Sequence, residues 1–240
     1  MAPARGDSKV LNFGDVTLRR SDLQRLKQPE ELNDQIIEFY FEHLTSNLNV
    51  DTQSGSVSPL LLVGPSQTYW LLHCPSDSLQ DSVKPMSLAE REMVVFALND
   101  NPDPSAAEGG CHWSLVVYSR PQNVFEHYDS LGGLNGAVAV RFVNKIKLHM
   151  GKRAAQAKSR ERETPQQQNA YDCGVYVMKT SQLLCNAFKE QQRAVTFADI
   201  VDSLRTQLTP ASVDEMRTST VKLILQLAKQ SPSRAAVTTS

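Results

Sequence analysis

Residues 113–128 read WSLVVYSRPQNVFEHY, and this stretch decides the fold class. Its two halves, 113–119 and 124–128, are rich in aromatic and β-branched residues, a composition that is typical of β-strands. The four residues between them, 120–123, make a connection of hairpin length. The two strands are therefore predicted to pair antiparallel in the middle of a sheet.

Apolar patterns on both sides of this hairpin predict one further strand and several helices. The continuous apolar run at 93–98 predicts the strand, and apolar residues at helical spacing predict a helix at 32–46. A second helix is expected to open at Ser58-Pro59 and to end at Cys74-Pro75. Further helices are predicted at about 136–150, from Cys173 onward, at 196–208 and at 211–229. Helices around a central, mostly antiparallel sheet make an α+β fold.

Composition bounds the size and the partners of this domain. The 240 residues carry 25 Lys and Arg against 26 Asp and Glu, a net charge of −1 that gives no bulk attraction to nucleic acid or to a membrane. A single domain is expected at 15–230, between flexible termini at 1–14 and 231–240. The basic stretch 151–163 is expected to be a solvated loop, with a substrate-facing edge as the alternative.

The N-terminus has no apolar signal-peptide core, and the longest apolar run, at 93–98, is six residues against the ~20 that span a bilayer. We therefore expect a cytoplasmic or nuclear protein with reduced thiols, no membrane or nucleic-acid partner, and a monomeric state. No Cys-x-x-Cys pair occurs among the four cysteines, so no metal site is expected.

Reduced thiols raise the question of whether one of them is a nucleophile. Polar, turn-forming residues run directly into an apolar helical pattern at Cys173, which places this thiol at a helix N-terminus, where the helix dipole favours an anion. Cys74 and Cys185 fit buried packing thiols better. Cys111 is expected to be a neutral core thiol, with oxidative modification beside the base as the alternative.

A cysteine nucleophile needs a base and a group that orients the base. Of five histidines, His112 and His127 lie on the predicted hairpin and compete for the role of base. Asp129 favours His112, because the end of one antiparallel strand lies beside the start of its partner. Asp172 is chain-adjacent to the thiol and is expected to be a helix cap.

The oxyanion of the reaction would need hydrogen-bond donors close to the nucleophile. The backbone N–H of Cys173 is one candidate, and the side-chain amide of Gln167 is another. Gln166 and Gln168 carry the same amide, and the residues alone leave that choice open.

Three motifs, HWSLVVY at 112–118, YDSLG at 128–132 and PQQQNAYDCG at 165–174, resemble those of the ubiquitin-like-protein-specific (Ulp or sentrin-specific) cysteine proteases. The resemblance covers about 15–230 and leans toward the deneddylase branch, which acts on Nedd/Rub-type modifiers. It implies a papain-like architecture of the Ulp type without a cofactor. His112 then resembles the base, Asp129 the orienter, Cys173 the nucleophile and Gln167 the oxyanion donor.

The same resemblance implies a narrow channel for the modifier's Gly-Gly tail. Trp113 resembles the aromatic residue that covers it, and Asn33 and Asp34 match the family's Trp-Leu-Asn-Asp segment. The Trp position of that segment is Glu31 here, which predicts a looser, more polar channel unless a neighbouring aromatic residue substitutes.

The resemblance implies a thiol isopeptidase that cleaves after the C-terminal Gly-Gly of a ubiquitin-like modifier, most closely of the Nedd/Rub type, in conjugates or precursors. The partners would then be this modifier and its protein conjugates. Three alternatives stay open: a SUMO-specific protease, an acyltransferase on the same residues, and a catalytically weak modifier-binding protein.

Overall fold

The computed structural model describes residues 6–48, 57–103, 109–190 and 197–230. Its strands are β1 (Lys9–Phe13), β2 (Val16–Arg19), β3 (Leu60–Val63), β4 (Met93–Asn99), β5 (Trp113–Ser119), β6 (Val124–Tyr128) and β7 (Lys158–Arg162). Its α-helices are α1 (Arg20–Arg25), α2 (Asp34–Ser46), α3 (Pro65–His73), α4 (Ser76–Val83), α5 (Gly136–Ile146), α6 (Cys173–Glu190), α7 (Phe197–Gln207) and α8 (Pro210–Gln230). Short 3₁₀ turns lie at Lys84–Met86, Leu88–Glu90, Lys147–His149 and Lys152–Gln156.

The main sheet has the strand order β3-β4-β5-β6-β7. Its three central strands pair antiparallel, with Val95 opposite Val117 and Val117 opposite Glu126. The two outer strands, β3 and β7, are each parallel to their neighbours. The α+β class and the antiparallel hairpin at 113–128 are thus confirmed, and the sheet as a whole is mixed.

Both faces of this sheet are buried along its three central strands, where only Asn99 and Trp113 are partly exposed. Val95 and Val117 face a core built with α2 and α6. Their chain neighbours, among them Phe96, face the opposite core, where the Phe96 ring packs edge-on against Phe142 of α5 at 5.0 Å. The sheet is therefore a fixed platform between two layers of helices.

Two segments differ from the sequence prediction, and both became edge strands. The predicted helix at Pro59 is replaced by β3, and the helix begins only at Pro65, after Gly64. The basic stretch 151–163, predicted as a loop, contains β7. Both segments are strands because each pairs with a neighbouring strand, and the local periodicity of a sequence does not show such pairing.

The N-terminal hairpin is a further difference. Residues 9–13 fall in the segment that was predicted to be flexible, but they form β1, which pairs antiparallel with β2 and contacts α8. Of the flexible ends predicted at 1–14 and 231–240, residues 1–5 and 231–240 lie outside the described residues. None of the helices in the described ranges has the length and apolar character needed to cross a membrane.

Candidate active site

Cys173 is the first residue of α6, as predicted, and it is only 1% exposed. The backbone N–H groups of Val175 and Tyr176 donate to the carbonyl oxygen of Asp172, at 2.8 and 3.0 Å, and this begins the helix. A Cβ atom on the next residue, Gly174, would lie 2.9 Å from Cβ of Leu32. The glycine therefore lets the helix N-terminus pack tightly against the segment that leads into α2.

Asp172 was predicted to cap this helix, but its side chain has other partners. Its Oδ1 accepts two hydrogen bonds from Arg217 of α8, from Nε at 2.9 Å and from the terminal nitrogen at 2.7 Å. Its Oδ2 accepts one from Asn169 at 2.7 Å. Both members of the ion pair are nearly fully buried, so the pair ties the Cys173 loop to the last helix.

Replacing Arg217 with Met is expected to lower the free energy of unfolding by about 3–5 kcal/mol, because Asp172 would stay buried without its counter-charge. Urea denaturation measures the loss. The matched control is Arg205→Met, since Arg205 pairs with Glu163 at the surface with 54% of its side chain exposed. Its expected cost is about 0–1 kcal/mol. Equal losses in the two variants would contradict the importance of the buried pair.

His112 and Asp129 meet at the end of the antiparallel β5–β6 pair, where the strand pairing predicted their contact. Nε2 of His112 lies 2.6 Å from Oδ1 of Asp129, and both side chains are buried. Asp129 also accepts hydrogen bonds from the backbone N–H groups of Leu131, at 2.8 Å, and Asn135, at 2.9 Å. Three donors thus converge on one carboxylate and hold it in place.

The thiol of Cys173 interacts with the imidazole of His112. Nε2 is occupied by Asp129, and the buried Nδ1 has no hydrogen-bond partner among the described residues, so Nδ1 is the nitrogen left for the thiol. Burial disfavours a charged ring, but the interactions with Asp129 and Cys173 outweigh burial and raise the pKa of His112 to about 9. The pKa of Asp129 is lowered, because its hydrogen bonds outweigh its burial.

This order of groups allows a specific proton transfer. A carboxylate that favours the charged imidazole makes the ring a better acceptor for the proton of a neighbouring thiol. His127, the rival base, is placed elsewhere: its Nδ1 lies 2.7 Å from Oε2 of Glu161, and its Nε2 lies 3.0 Å from Oγ of Ser114.

The three glutamines before Cys173 have different environments. Gln167 is buried, and its Oε1 accepts a hydrogen bond from Ser130 at 2.8 Å, while its Nε2 donates to the carbonyl oxygen of Asn169 at 2.6 Å. Nε2 of Gln166 donates to two carbonyl oxygens, which uses both of its protons. Gln168 is exposed. Gln167 is thus the buried amide of the three, and its Nε2 has a second proton beyond the one it donates to Asn169.

A cavity of about 650 Å³ is lined in part by Cys111 and Trp113, the two chain neighbours of His112. Trp113 is fixed there, because its Nε1 donates to the carbonyl oxygen of Leu32 at 3.1 Å. The cavity is further lined by Arg25, Glu31, Leu32, Asn33, Asp34, Pro65, Ser66, Tyr69, Asn99, Asn101, Gly109 and Gly110. The three residues predicted for the substrate channel, Trp113, Asn33 and Asp34, therefore line a single cavity.

Asn33 also has a structural task at the start of α2. Its Oδ1 accepts a hydrogen bond from the backbone N–H of Ile36 at 3.2 Å, and its Nδ2 donates to Asp22 at 2.7 Å. Tyr69 of α3 is an aromatic wall residue that the sequence did not single out. Glu31 lines the same cavity, so the wall at the position of the family's Trp carries a carboxylate.

Two of the three remaining cysteines are buried as predicted, and one is not. Cys74 and Cys185 are buried packing thiols as predicted, and burial raises the pKa of Cys185 to about 12. Cys111 was predicted to be a core thiol, but it is exposed. Its Sγ donates to Oδ2 of Asp100 at 3.4 Å, and this hydrogen bond is the main cause that raises the pKa of Cys111.

Comparison with known proteins identifies the family. Residues 80–229 match the model described as "Ulp1 protease family, C-terminal catalytic domain". NEDD8-specific protease 1 of Arabidopsis thaliana is 34% identical over 98% of this chain and 100% of its own length. Human Sentrin-specific protease 8 is 35% identical over 93% of this chain and 100% of its own length.

Solved structures of Ulp1 protease domains share the fold. The C-terminal Ulp1 protease domain, solved in complex with Smt3, the yeast ortholog of SUMO, superposes with a TM-score of 0.66 at 17% identity, covering 94% of this chain and 90% of that chain. The α+β architecture is therefore that of Ulp1 protease domains. Because the family model matches more than half of this chain, and because two relatives align with nearly all of it, this chain belongs to the Ulp1 protease family.

Proposed function

We propose that this protein is a thiol protease that cleaves after the C-terminal Gly-Gly of a NEDD8-type modifier, from conjugates or from precursors. The observation that carries the proposal is the buried 2.6 Å contact between His112 and Asp129, which leaves Nδ1 of the ring for the thiol of Cys173. The modifier is inferred from the relatives that align over their whole length, which are a NEDD8-specific protease and Sentrin-specific protease 8.

Before the first step, the thiol proton of Cys173 has passed to His112, so that a thiolate faces a charged imidazole; in that step the sulfur attacks the carbonyl carbon of the terminal glycine. The oxygen of that carbonyl becomes an oxyanion, which the backbone N–H of Cys173 and the free amide proton of Gln167 stabilise. Ser130 and Asn169 hold this amide in position from either side.

In the second step, His112 gives its proton to the leaving amine, and a thioester on Cys173 remains. Water, deprotonated by His112, then attacks the thioester and frees both the modifier and the enzyme. Asp129 keeps the imidazole in one orientation and stabilises its charged form throughout.

The tail of the modifier enters through the cavity beside Trp113. A diglycine has no side chains, so it can pass a constriction that any Cβ atom would block. Glu31 makes one wall of this passage polar, and Tyr69 is the aromatic residue of α3 that lines it. A nucleophilic thiol must be reduced to work, which fits a cytoplasmic or nuclear location.

The test is a comparison of kcat/KM for NEDD8, SUMO and ubiquitin that carry the same C-terminal fluorogenic group. We expect the NEDD8 reporter to be cleaved with the highest kcat/KM, by at least about 10²-fold, since rejection of a wrong partner is a difference in binding free energy of several kcal/mol. Equal or faster cleavage of the SUMO reporter would assign the chain to the alternative substrate.

The role of Gln167 has its own prediction. Gln167→Ala is expected to lower kcat by about 10²- to 10³-fold with little change in KM, because an oxyanion donor acts mainly in the transition state. Steady-state kinetics on the preferred reporter measure both constants. The matched control is Gln168→Ala, at the exposed neighbouring amide, which should retain wild-type kinetics. A loss confined to KM would contradict the assigned role.

A further inference from the structure

A chain of buried polar side chains runs behind the His112–Asp129 pair, and no step of the proposed reaction uses it. Its members are Asn135, Ser114 and His127, each at most 4% exposed. Glu161 of β7 ends the chain at the surface, with half of its side chain exposed. Buried polar groups are costly unless they are hydrogen-bonded, so such a chain calls for an explanation.

Asn135 contacts both members of the pair. Its backbone N–H donates to Oδ2 of Asp129 at 2.9 Å, and its side-chain Nδ2 donates to the carbonyl oxygen of His112 at 3.2 Å. That carbonyl also accepts from the backbone N–H of Asp100 and from Nδ2 of Asn99, each at 3.3 Å. Asn135 is therefore the residue that holds the strand start at His112 and the carboxylate of Asp129 to one another.

The donor directions along the chain follow from the chemistry of each group. The carbonyl oxygen of His112 can only accept, which fixes the amide orientation of Asn135. The second proton on Nδ2 of Asn135 then goes to Oγ of Ser114, at 3.0 Å. Oγ of Ser114 also lies 3.0 Å from Nε2 of His127, and because a hydroxyl can accept twice as well as donate, the direction of this bond is set from the other end of the chain.

The last step ends on a carboxylate. The carboxylate of Glu161 can only accept, so Nδ1 of His127 carries the ring proton and donates to it at 2.7 Å, and Nε2 of the neutral ring accepts the hydroxyl proton of Ser114. Each hydrogen bond from Asn135 through Ser114 and His127 to Glu161 then has one donor and one acceptor, and all of them point toward Glu161. Oδ1 of Asn135 is buried and has no partner within the described ranges, so the amide orientation that serves His112 and Ser114 is kept at the cost of an unsatisfied oxygen.

We propose that Asn135 is a positioning residue for His112 and Asp129, and that Ser114, His127 and Glu161 fix the orientation of its amide. This inference rests on the proposed function, in which His112 must exchange protons with Cys173. A displacement of about 1 Å in a reacting group can cost roughly 10²-fold in rate, so a device that fixes both His112 and Asp129 has a direct effect on kcat.

The test replaces Asn135 with Ala, which keeps the backbone N–H to Asp129 and removes both side-chain donors. We expect kcat on the modifier reporter to fall about 10- to 100-fold with KM within about twofold, as for loss of a supporting hydrogen bond at an active site. Iodoacetamide alkylation of Cys173, followed by mass spectrometry of its own peptide, should slow in parallel. Asn144→Ala, at an exposed asparagine of the same helix, is the control and should match the wild type.

Wild-type kcat and alkylation rates in Asn135→Ala would overturn the proposal. Alkylation does not depend on the modifier, so it still decides the role of Asn135 if the wild-type protein cleaves no reporter, a result that would count against the proposed function alone. Should Asn135→Ala fail to fold, ¹⁵N–¹H NMR of the wild-type protein decides the question. The chain requires the Nδ1–H tautomer of His127, and a ring proton on Nε2 would overturn it.

Discussion

Cys173→Ala is expected to abolish cleavage of a NEDD8 reporter, with kcat lower by roughly 10⁶-fold, as when the nucleophile of a protease triad is removed. Alanine cannot form the thioester, and neither His112 nor Asp129 can replace the sulfur as an attacking group. The measurement is single-turnover cleavage at enzyme concentrations high enough to detect the residual rate. Binding of the uncleaved modifier should persist, because the cavity beside Trp113 is untouched.

The matched control is Cys185→Ala, at a buried thiol of the same helix that is 2% exposed. This variant should lose some stability through its small cavity but keep its kcat. Substantial cleavage by a homogeneous Cys173→Ala preparation would refute the proposed nucleophile. Loss of cleavage in both variants would show that the α6 packing, and not the sulfur, had been tested.

Asp129→Asn is expected to lower kcat by about 10⁴-fold, the size of loss seen when the orienting carboxylate of a triad becomes an amide. Three N–H groups, from His112, Leu131 and Asn135, converge on the two oxygens of Asp129. An amide keeps one of those oxygens and turns the other into a donor. Oδ1 receives the N–H groups of His112 and Leu131 and Oδ2 that of Asn135, so one or two of them then face another donor. Where the new NH₂ group faces His112, the imidazole loses its orientation or its tautomer.

The same substitution changes the pH profile in a definite direction. His112 must hold a proton to give it to the leaving amine, and the pKa of His112 is raised to about 9, mainly by Asp129 and Cys173 acting against burial. The wild-type kcat/KM should therefore fall as the pH rises through about 9. Without the carboxylate the pKa of His112 drops, so the alkaline limb of Asp129→Asn moves to lower pH.

Rates measured from pH 6 to pH 10 with the preferred reporter give both limbs. Glu163→Gln provides the comparison, since Glu163 is an exposed carboxylate that pairs with Arg205 at the surface and belongs to neither the His112–Asp129 pair nor the chain behind it. Its alkaline limb should stay near the wild-type position. An Asp129→Asn profile that superposes on the wild type would mean that another group sets the upper limb.

The central part of the fold and of the site could be predicted from local sequence. The strands at 113–119 and 124–128 begin and end where predicted, because β-branched and aromatic residues meet a short turn at both boundaries. Strand pairing then placed Asp129 beside His112 without further information. The helix start at Cys173 was equally visible, since polar residues give way at once to an apolar helical pattern.

The parts that were missed depend on distant partners. Strand β7 reads KSRER and has no apolar residue; it forms because β6 offers an open edge and because Arg162 neutralises the buried Glu126 at 2.6 Å. Asp172 pairs with Arg217, which lies 45 residues further along the chain. The sequence around Asp172 gives no sign of this partner, so the prediction of a cap could not be avoided. The sequence shows only that Asn135 lies just before a helix, a position that indicates a helix cap and not a contact with His112 and Asp129.

Because Cys111 is exposed, a covalent reagent can react with two thiols close to His112, those of Cys111 and Cys173. A modifier bearing a C-terminal electrophile is directed to Cys173 by its tail, whereas a small untethered electrophile meets Cys111 first in solution. Hydrogen bonding to Asp100 raises the pKa of Cys111, so its labelling is slow at neutral pH and accelerates in alkaline solution. A fluorophore attached there at high pH would stand at the mouth of the cavity and report the arrival of a substrate tail without consuming the nucleophile.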